Sequence, residues 1–168
     1  MIQVYTGNGK GKTTAALGLA LRACGAGMKV YIGQFIKGRN YCELKALKKF
    51  RANLTIEQFG RGCFIKTPPG PVDKDLAQRG LKKIKQIISE NRFDLIILDE
   101  VNVALELQLF PLQDVLKLIQ ILPQETELVL TGRNALPEII ERADLVSEIR
   151  EVKHYFKNQV KARRGIEF

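Results

Sequence analysis

The chain has 168 residues, of which 45% are hydrophobic and 27% are charged, and this composition is typical of one compact globular domain. No apolar run reaches the roughly 18 residues that span a bilayer, and no basic stretch followed by an apolar one predicts a signal peptide. We therefore expect no membrane partner. The three cysteines, Cys24, Cys42 and Cys63, lack the spacing of a metal site, so we expect reduced thiols in a cytoplasmic protein.

The whole chain has a net charge of +9, and the positive charge is concentrated in its first half. Residues 1–90 contain 17 Lys and Arg against 5 Asp and Glu, whereas residues 91–168 contain 10 against 13. A basic excess of this kind favours a polyanionic ligand. Binding of a nucleotide and binding of a nucleic acid would each account for this basic excess, and charge alone does not distinguish between them.

Strand-like and helix-like segments alternate along the chain. The segments predicted to be strands are Ile2–Tyr5, Lys29–Phe35, Leu54–Gln58, Asp94–Leu98, Glu127–Thr131 and Leu145–Ile149. The segments with helical spacing are Lys12–Cys24, Tyr41–Phe50, Asp73–Asn91, Leu112–Leu122 and Leu136–Ala143. The alternation predicts one α/β domain over residues 1–168, with a mostly parallel sheet flanked by helices. Two segments lack a period: Gly60–Val72, which is rich in Gly and Pro and is predicted to be a loop, and the basic tail Val152–Phe168.

The sequence GNGKGKTT at residues 7–14 follows the first predicted strand and precedes the first predicted helix. It is one residue shorter than the phosphate-binding pattern G-x-x-x-x-G-K-[ST], because Thr6 stands where the first glycine would be. Glycines allow backbone N–H groups to close around phosphate oxygens, and a helix N-terminus adds positive potential. We therefore expect a nucleotide-binding loop (P-loop) in which Lys12 contacts phosphates and Thr13 binds Mg²⁺.

Acidic residues follow a continuously apolar segment in DLIILDE, at Asp94–Glu100. Ligands of open α/β sheets bind at the carboxyl ends of the strands, so Asp99 and Glu100 are expected to hold or orient Mg²⁺ beside the P-loop. The structural alternative for these carboxylates is to cap the helix that follows.

Two arginines and one histidine were considered as further site residues. Arg133 ends the segment VLTGR, at a second carboxyl end, where it either clamps phosphate or ribose or is only a surface residue. For Arg22, on the helix after the P-loop, the pattern alone favours a solvated helix face. His154 is the only histidine and is expected to be structural. The sequence contains no Ser/His/Asp set, no Cys/His pair and no G-x-S-x-G, so it offers no obvious protein nucleophile.

Taken together, GNGKGKTTAA, GQFIKG at Gly33–Gly38, LDE, LTGR, ADLVSEIREVKH and VKARRGIEF resemble the ATP:cob(I)alamin (corrinoid) adenosyltransferases of the cobalamin-assembly type. The resemblance runs in order from Gln3 to Phe168, and the shortened P-loop is a hallmark of that family. It implies a P-loop NTPase fold of the RecA-like kind. In this family the cobalt of the corrinoid, reduced to Co(I), attacks the 5′ carbon of ATP and triphosphate leaves. The resemblance therefore implies a reaction that needs no protein base or nucleophile.

The resemblance also implies roles for particular residues. Lys10, Lys12 and Glu100 are implied to be catalytic. Thr13 and Glu100 match the metal positions of the family. Asp99 is a third expected metal ligand, because it stands at the end of the predicted strand beside Glu100. The metal is expected to be Mg²⁺, with Mn²⁺ as an alternative that takes the same oxygen ligands. The residues expected to bind ATP are Gly7, Asn8, Gly9, Lys10, Gly11, Lys12, Thr13, Thr14, Arg22 and Arg133.

The corrinoid side of the site departs from the family. Family members carry an N-terminal helical extension that covers the corrinoid, whereas this sequence begins almost at the first strand. The loop after the third strand usually has two aromatic residues, as in G-F-x-W, which help to expel the lower axial ligand of the cobalt. Here Cys63 and Ile65 stand at those positions, with Phe64 between them. We expect Cys63, Phe64 and Ile65 to form an apolar wall for cobalamin or its precursors.

Two other classes of function remain as alternatives. The first is a P-loop ATPase in which Glu100 orients a water, and the second is a non-enzymatic binder of nucleotide or nucleic acid. The transferase is the preferred interpretation, with ATP and a corrinoid as substrates and without nucleic acid as a partner. A reductant protein and a homodimer are further expectations from the family.

Overall fold

The computed structural model describes residues 1–39, 41–62 and 68–167. The strands are β1 (Ile2–Thr6), β2 (Val30–Phe35), β3 (Leu54–Phe59), β4 (Leu95–Asp99), β5 (Glu127–Thr131) and β6 (Leu145–Glu148). The helices are α1 (Lys12–Gly25), α2 (Cys42–Leu47), α3 (Pro71–Glu90), α4 (Val101–Glu106), α5 (Leu112–Gln120) and α6 (Pro137–Ile140). Short 3₁₀ turns occur at Lys48–Phe50 and Tyr155–Asn158.

The six strands form one sheet in the order β3-β2-β4-β5-β1-β6, and every pairing is parallel. The interior strands β2 and β4 are buried along their whole length, as expected for strands that helices cover on both faces. Strand β6 lies at one edge and is exposed throughout. Because all strands run the same way, their carboxyl ends meet at one edge of the sheet, and this edge carries the P-loop.

The apolar core lies on both faces of the sheet. Alternate residues of β4 point to opposite faces: Ile96 and Leu98 pack in one cluster, and Leu95 and Ile97 pack in the other. The first cluster is completed by α3, α4 and α5, and the second by the alanine face of α1. The sheet is therefore the middle layer of three, and the expected α/β class with a parallel sheet flanked by helices is confirmed.

Most helix boundaries differ from the sequence-based expectations by one to three residues, and the largest differences have a physical reason. Helix α4 was not predicted, because its six residues are too few to show a helical period. Helix α3 begins at Pro71, not Asp73, since proline is favoured in the first turn and the Asp73 carboxylate accepts a hydrogen bond from the Gly70 amide at 2.9 Å. It ends at Glu90, one residue before the predicted end, because Asn91 has a left-handed backbone and caps the helix. Among the described helices, none is long and apolar enough to cross a membrane.

Candidate active site

The P-loop packs directly against the end of β6. The Gly9 amide donates a hydrogen bond to the Ile149 carbonyl at 2.7 Å. A Cβ on Gly9 would lie 2.8 Å from the Arg150 carbonyl carbon, and one on Gly7 would lie 2.5 Å from the Ile149 oxygen, so a side chain at either position would collide with backbone. Gly11, the residue before α1, has φ of 127°, a conformation that side chains disfavour. The glycine spacing of the motif is therefore a requirement of backbone packing as well as of phosphate access.

Lys12 lies inside the P-loop. Its Nζ donates hydrogen bonds to the Gly7 and Gly9 carbonyls at 2.5 and 2.8 Å. Burial lowers the pKa of this ammonium, Arg133 lowers it further, and the charge of Glu100 opposes both. The ammonium is thus held inside the loop by two backbone carbonyls, and one of its three donors remains for a phosphate.

Asp99, at the end of β4, connects the P-loop to the sheet. Its carboxylate is buried and accepts four hydrogen bonds. Oδ1 accepts from the Thr13 and Thr131 hydroxyls at 2.9 and 2.7 Å, and Oδ2 accepts from Gln34 Nε2 at 3.1 Å and Lys37 Nζ at 2.7 Å. A carboxylate offers about four lone-pair sites, so these donors use its full capacity.

Lys37 and Gln34 are site residues that the sequence analysis did not assign. Lys37 Nζ lies 2.7 Å from Asp99 and 3.1 Å from the Thr13 hydroxyl, and its side chain is only 16% exposed. Burial alone would lower the pKa of Lys37, but attraction to Asp99 leads the contributions that raise it above its ordinary value. The available signal was the segment GQFIKG, which follows a buried strand, although the proximity of its lysine to Asp99 depends on β2 pairing with β4.

Glu100 turns away from the sheet immediately after Asp99. Its φ of 62° is left-handed, and its amide donates a hydrogen bond to the Thr131 hydroxyl at 3.0 Å. Burial, and then the charge of Asp99, raise the pKa of the Glu100 carboxyl. The cations Lys37, Lys12 and Arg133 oppose that rise. A partly buried carboxylate facing several cations is suited to binding a further cation or orienting a water.

The donor set fits Mg²⁺ held jointly by protein and phosphates. Within residues 1–39, 41–62 and 68–167, no three His, Cys, Asp or Glu side chains converge as a metal cage. Mg²⁺ usually binds one or two protein oxygens, substrate phosphates and waters, and does not require such a cage. The Thr13 hydroxyl donates to Asp99 and accepts from Lys37, which leaves one lone pair for a metal, and Glu100 follows Asp99 with a second carboxylate.

A groove of about 570 Å³ opens beside the P-loop. Asn8 and Arg133 line it together with Glu148, Arg150 and Glu151. Arg22 lies elsewhere: it is ten residues beyond Lys12 on α1, about 15 Å along the helix, exposed, and close enough to Tyr5 to influence the pKa of its hydroxyl. Thr14, in the first turn of α1, is exposed.

The C-terminal segment contacts the P-loop through Lys10. Lys10 Nζ donates hydrogen bonds to the Tyr155 hydroxyl at 2.6 Å and to Glu167 Oε1 at 2.9 Å. The Tyr155 hydroxyl itself donates to Glu167. Neither Tyr155 nor Glu167 was predicted as a site residue, because the tail shows no period.

The predicted corrinoid wall, Cys63, Phe64 and Ile65, lies outside the described residues. The chain on either side of it is fixed by Arg61, whose Nε and Nη2 both donate to the Asp73 carboxylate at 2.7 Å. Gly62 approaches the neighbouring loop so closely that a Cβ would lie 2.8 Å from the Gly38 oxygen.

Comparison with known proteins agrees with this geometry. The profile of the family described as ATP:corrinoid adenosyltransferase BtuR/CobO/CobP matches residues 1–168. This chain belongs to the ATP:corrinoid adenosyltransferase family. The corrinoid adenosyltransferase of Pseudomonas aeruginosa is 38% identical over 169 residues, which cover 100% of this chain and 83% of that one. The Escherichia coli K12 corrinoid adenosyltransferase is 35% identical over 174 residues, covering 100% and 85%.

A solved structure extends the comparison to the fold. The KaiC-like protein PH0186 of Pyrococcus horikoshii OT3 superposes with a TM-score of 0.59 at 18% identity, over 90% of this chain and 74% of that one. The RecA-like P-loop fold expected from the sequence is thereby confirmed. Membership of the adenosyltransferase family also confirms the predicted enzyme class and favours it over a non-enzymatic binder.

Proposed function

We propose that the protein transfers the 5′-deoxyadenosyl group of ATP to the cobalt of a reduced corrinoid, cobalamin or one of its precursors, and releases triphosphate. The Co(I) centre supplies the electron pair of the new cobalt–carbon bond and becomes Co(III). The bond between C5′ and the phosphate oxygen breaks, and its electron pair leaves with the triphosphate. Family membership supports this reaction class.

The observation that carries the proposal is the cluster of cations around the P-loop. Lys12 is held inside the loop, Lys37 lies beside Thr13, and Lys10 projects from the loop itself. The reaction requires stabilisation of a polyanionic leaving group and a fixed position for C5′, and it requires no proton transfer from a side chain. The arrangement supplies the positive charge that a triphosphate needs.

Each residue of the site has a role in the proposal. Lys12 and Lys10 stabilise the triphosphate, and the backbone of residues 7–14 surrounds it, with the Gly9 amide bonded instead to the Ile149 carbonyl. Thr13 and Glu100 bind Mg²⁺ or Mn²⁺, which supplies charge neutralisation of the phosphates when it is bound. Asp99, whose lone pairs are already used by four donors, orients Thr13 and Lys37. Arg133 contacts the nucleotide from the groove that Asn8 also lines.

The acceptor side and the cellular setting are also part of the proposal. Cys63, Phe64 and Ile65 form the lower wall of the corrinoid site. A reductant protein delivers electrons to that face, the chain forms a homodimer, and the enzyme acts in the cytoplasm. Arg22 contacts the nucleotide from α1, a role for which the described contacts add no support.

The proposal is tested by an anaerobic assay with ATP, Mg²⁺ and chemically reduced cob(I)alamin. We expect a light-sensitive adenosyl-corrinoid and one triphosphate per turnover. Orthophosphate without a change in the corrinoid spectrum would show ATP hydrolysis instead, with Glu100 orienting water.

A matched pair of lysine variants makes the assay specific for the P-loop. Lys12→Met should reduce turnover by roughly 100- to 1,000-fold, the usual effect of removing one preorganised donor from a developing charge. Lys117→Met, on an exposed lysine of α5 that pairs with Asp114, should leave turnover unchanged. Comparable losses in the two variants would mean that the P-loop is not the reaction site.

A further inference from the structure

The C-terminal segment, residues 151–167, contacts the P-loop through a closed set of hydrogen bonds. Lys10 Nζ donates to both Tyr155 and Glu167, and the Tyr155 hydroxyl donates to Glu167, so the three side chains form a triangle. Arg163 adds its backbone amide at 2.6 Å and its Nη2 at 3.2 Å to the Glu167 carboxylate. Glu167 is thereby held by a tyrosine and two cations.

The Tyr155 ring adds a second kind of contact. Lys10 Nζ lies 5.3 Å from the ring centroid and Arg163 Cζ lies 4.8 Å from it, within the range of cation–π attraction. The Lys10 side chain is 39% exposed, and a free lysine of that exposure samples many rotamers. Two hydrogen bonds and the ring contact therefore restrict the ammonium to one side of the P-loop.

The backbone brings the segment to the same place. The chain leaves β6 at Glu148, and the following residue, Ile149, accepts the hydrogen bond from Gly9. The chain therefore contacts the P-loop at Gly9 just before the segment begins, and the segment returns to the P-loop at Lys10 through its last described residue, Glu167. The contacts span 145 and 157 residues of sequence, so they are tertiary and do not follow from local structure.

We infer that Tyr155 and Glu167 are positioning residues of the nucleotide site, which hold Lys10 where one of its N–H groups meets the triphosphate. The inference deepens the proposed function and rests on it, because it assigns to the C-terminal segment a part in leaving-group stabilisation. An ammonium has three donors, and Tyr155 and Glu167 use two of them, which leaves one for phosphate. Arg163 acts on Lys10 only through Glu167 and Tyr155.

Charge-conserving variants test this inference without changing the field at the P-loop. Tyr155→Phe removes the hydroxyl and keeps the ring under Lys10 and Arg163. Glu167→Asp keeps the negative charge and withdraws it by one methylene. Each should weaken binding of Mg·ATP about three- to tenfold, as expected for the loss of one ordinary hydrogen bond. Glu90→Asp, a control on α3 that keeps a carboxylate near Arg92, should leave ATP affinity unchanged.

A double-mutant cycle with Lys10→Met separates positioning from general structure. If Tyr155 and Glu167 act through Lys10, their variants should change ATP affinity less than twofold in the Lys10→Met background. Equal losses with and without Lys10 would overturn the inference, since the segment would then support the fold and not the lysine. Unchanged or tighter ATP binding in the parent background would also overturn it, because the carboxylate would then withhold Lys10 from the nucleotide. Thermal denaturation midpoints check that every variant is folded.

Calorimetric titration with Mg·ATP measures the cycle in the absence of a corrinoid. Failure of the proposed function would give a wild-type protein that binds ATP but forms no adenosyl-corrinoid, and the cycle would remain interpretable. If only the inference is wrong, the wild-type protein will have full transferase activity, and the effects of the Tyr155 and Glu167 variants on ATP affinity will simply add to the effect of Lys10→Met. Rates of triphosphate release at saturating ATP should fall in the same order as the affinities.

Discussion

Two carboxylates hold residues of the P-loop, and they do so in opposite environments. Asp99 has a side chain that is 2% exposed, and it holds Thr13 and Lys37 from inside the sheet. Glu167 has a side chain that is 18% exposed, and it holds Lys10 from the C-terminal segment. Both accept hydrogen bonds from a lysine and a hydroxyl, but only Asp99 lies between paired strands.

The burial of a carboxylate and its contact with the P-loop have separate consequences. Removing a buried charge partner leaves another buried group unpaired, which costs stability. Removing a more exposed partner returns the freed groups to water, so the effect on folding is small. Stability should therefore depend on how deeply the carboxylate is buried, and activity should depend on whether it contacts the P-loop.

The largest effect is expected for Asp99→Asn. The amide replaces a four-site acceptor with one oxygen and one donor, and the donor then faces other donors. The buried Lys37 ammonium also loses its counter-charge, so we expect about 3 kcal/mol less unfolding free energy. Turnover should fall roughly 10- to 100-fold because Thr13 is no longer oriented. Urea denaturation and the triphosphate-release assay measure the two effects.

An exposed acidic residue provides the control for this variant. Asp114→Asn removes a partner of Lys117 on α5, where both side chains are well exposed, and should change the unfolding free energy by less than about 0.5 kcal/mol. If Asp99→Asn were as mild as Asp114→Asn, the hydrogen bonds to Asp99 would not be maintained in solution.

The second effect is a partial recovery of stability. Adding Lys37→Met to Asp99→Asn removes the ammonium that was left without a partner, and should restore about 1–2 kcal/mol of unfolding free energy. Turnover should stay low, because Lys37 belongs to the cluster of cations that is proposed to stabilise the triphosphate. If the unfolding free energy were not restored, the destabilisation by Asp99→Asn would come from the loss of its hydrogen bonds with Thr131 and Gln34.

Much of the Asp99 region was predictable from sequence, because its signals are local. A continuously apolar run predicted β4. The two acidic residues at the end of this run were predicted to lie beside the P-loop, because both stand at carboxyl ends of strands. The role of Lys37 was not predictable in the same way. It requires β2 to pair with β4 although β3 follows β2 in the chain, and strand order is not contained in a periodic pattern.

The Glu167 region was almost unpredictable for a different reason. Its contacts join the P-loop to residues more than 140 positions away, and no period in the tail indicates which side chains face inward. Helix α4 was missed for a related reason, since Glu100 turns the chain with a left-handed φ and only six helical residues follow. In each case tertiary packing, and not local propensity, determines the structure.

The smallest effect on ATP binding is expected for Asp73→Asn, which separates the two properties. Asp73 is buried like Asp99, with a side chain that is 2% exposed, but the hydrogen bonds it accepts come from Arg61 and the Gly70 amide and not from the P-loop. Loss of these charged hydrogen bonds should cost about 2 kcal/mol of unfolding free energy. ATP affinity should change less than twofold. A loss of ATP affinity of about tenfold or more would mean that burial of the carboxylate, and not its contact with the P-loop, controls the site.

The same variant has a defined pH dependence. The Arg61 guanidinium, helped by the Gly70 amide, lowers the pKa of the Asp73 carboxyl although burial opposes this. The unfolded chain therefore binds this proton more readily than the folded protein does. The contribution of Asp73 to stability is complete above about pH 4 and is lost as the pH falls through the folded-state pKa. Urea denaturation of the wild type and of Asp73→Asn should converge only as the pH falls through the folded-state pKa, which lies below the ordinary value of about 4, because only the wild-type residue titrates. A difference that persisted at low pH would assign the effect to side-chain packing, and the ionised contact with Arg61 would not be its source.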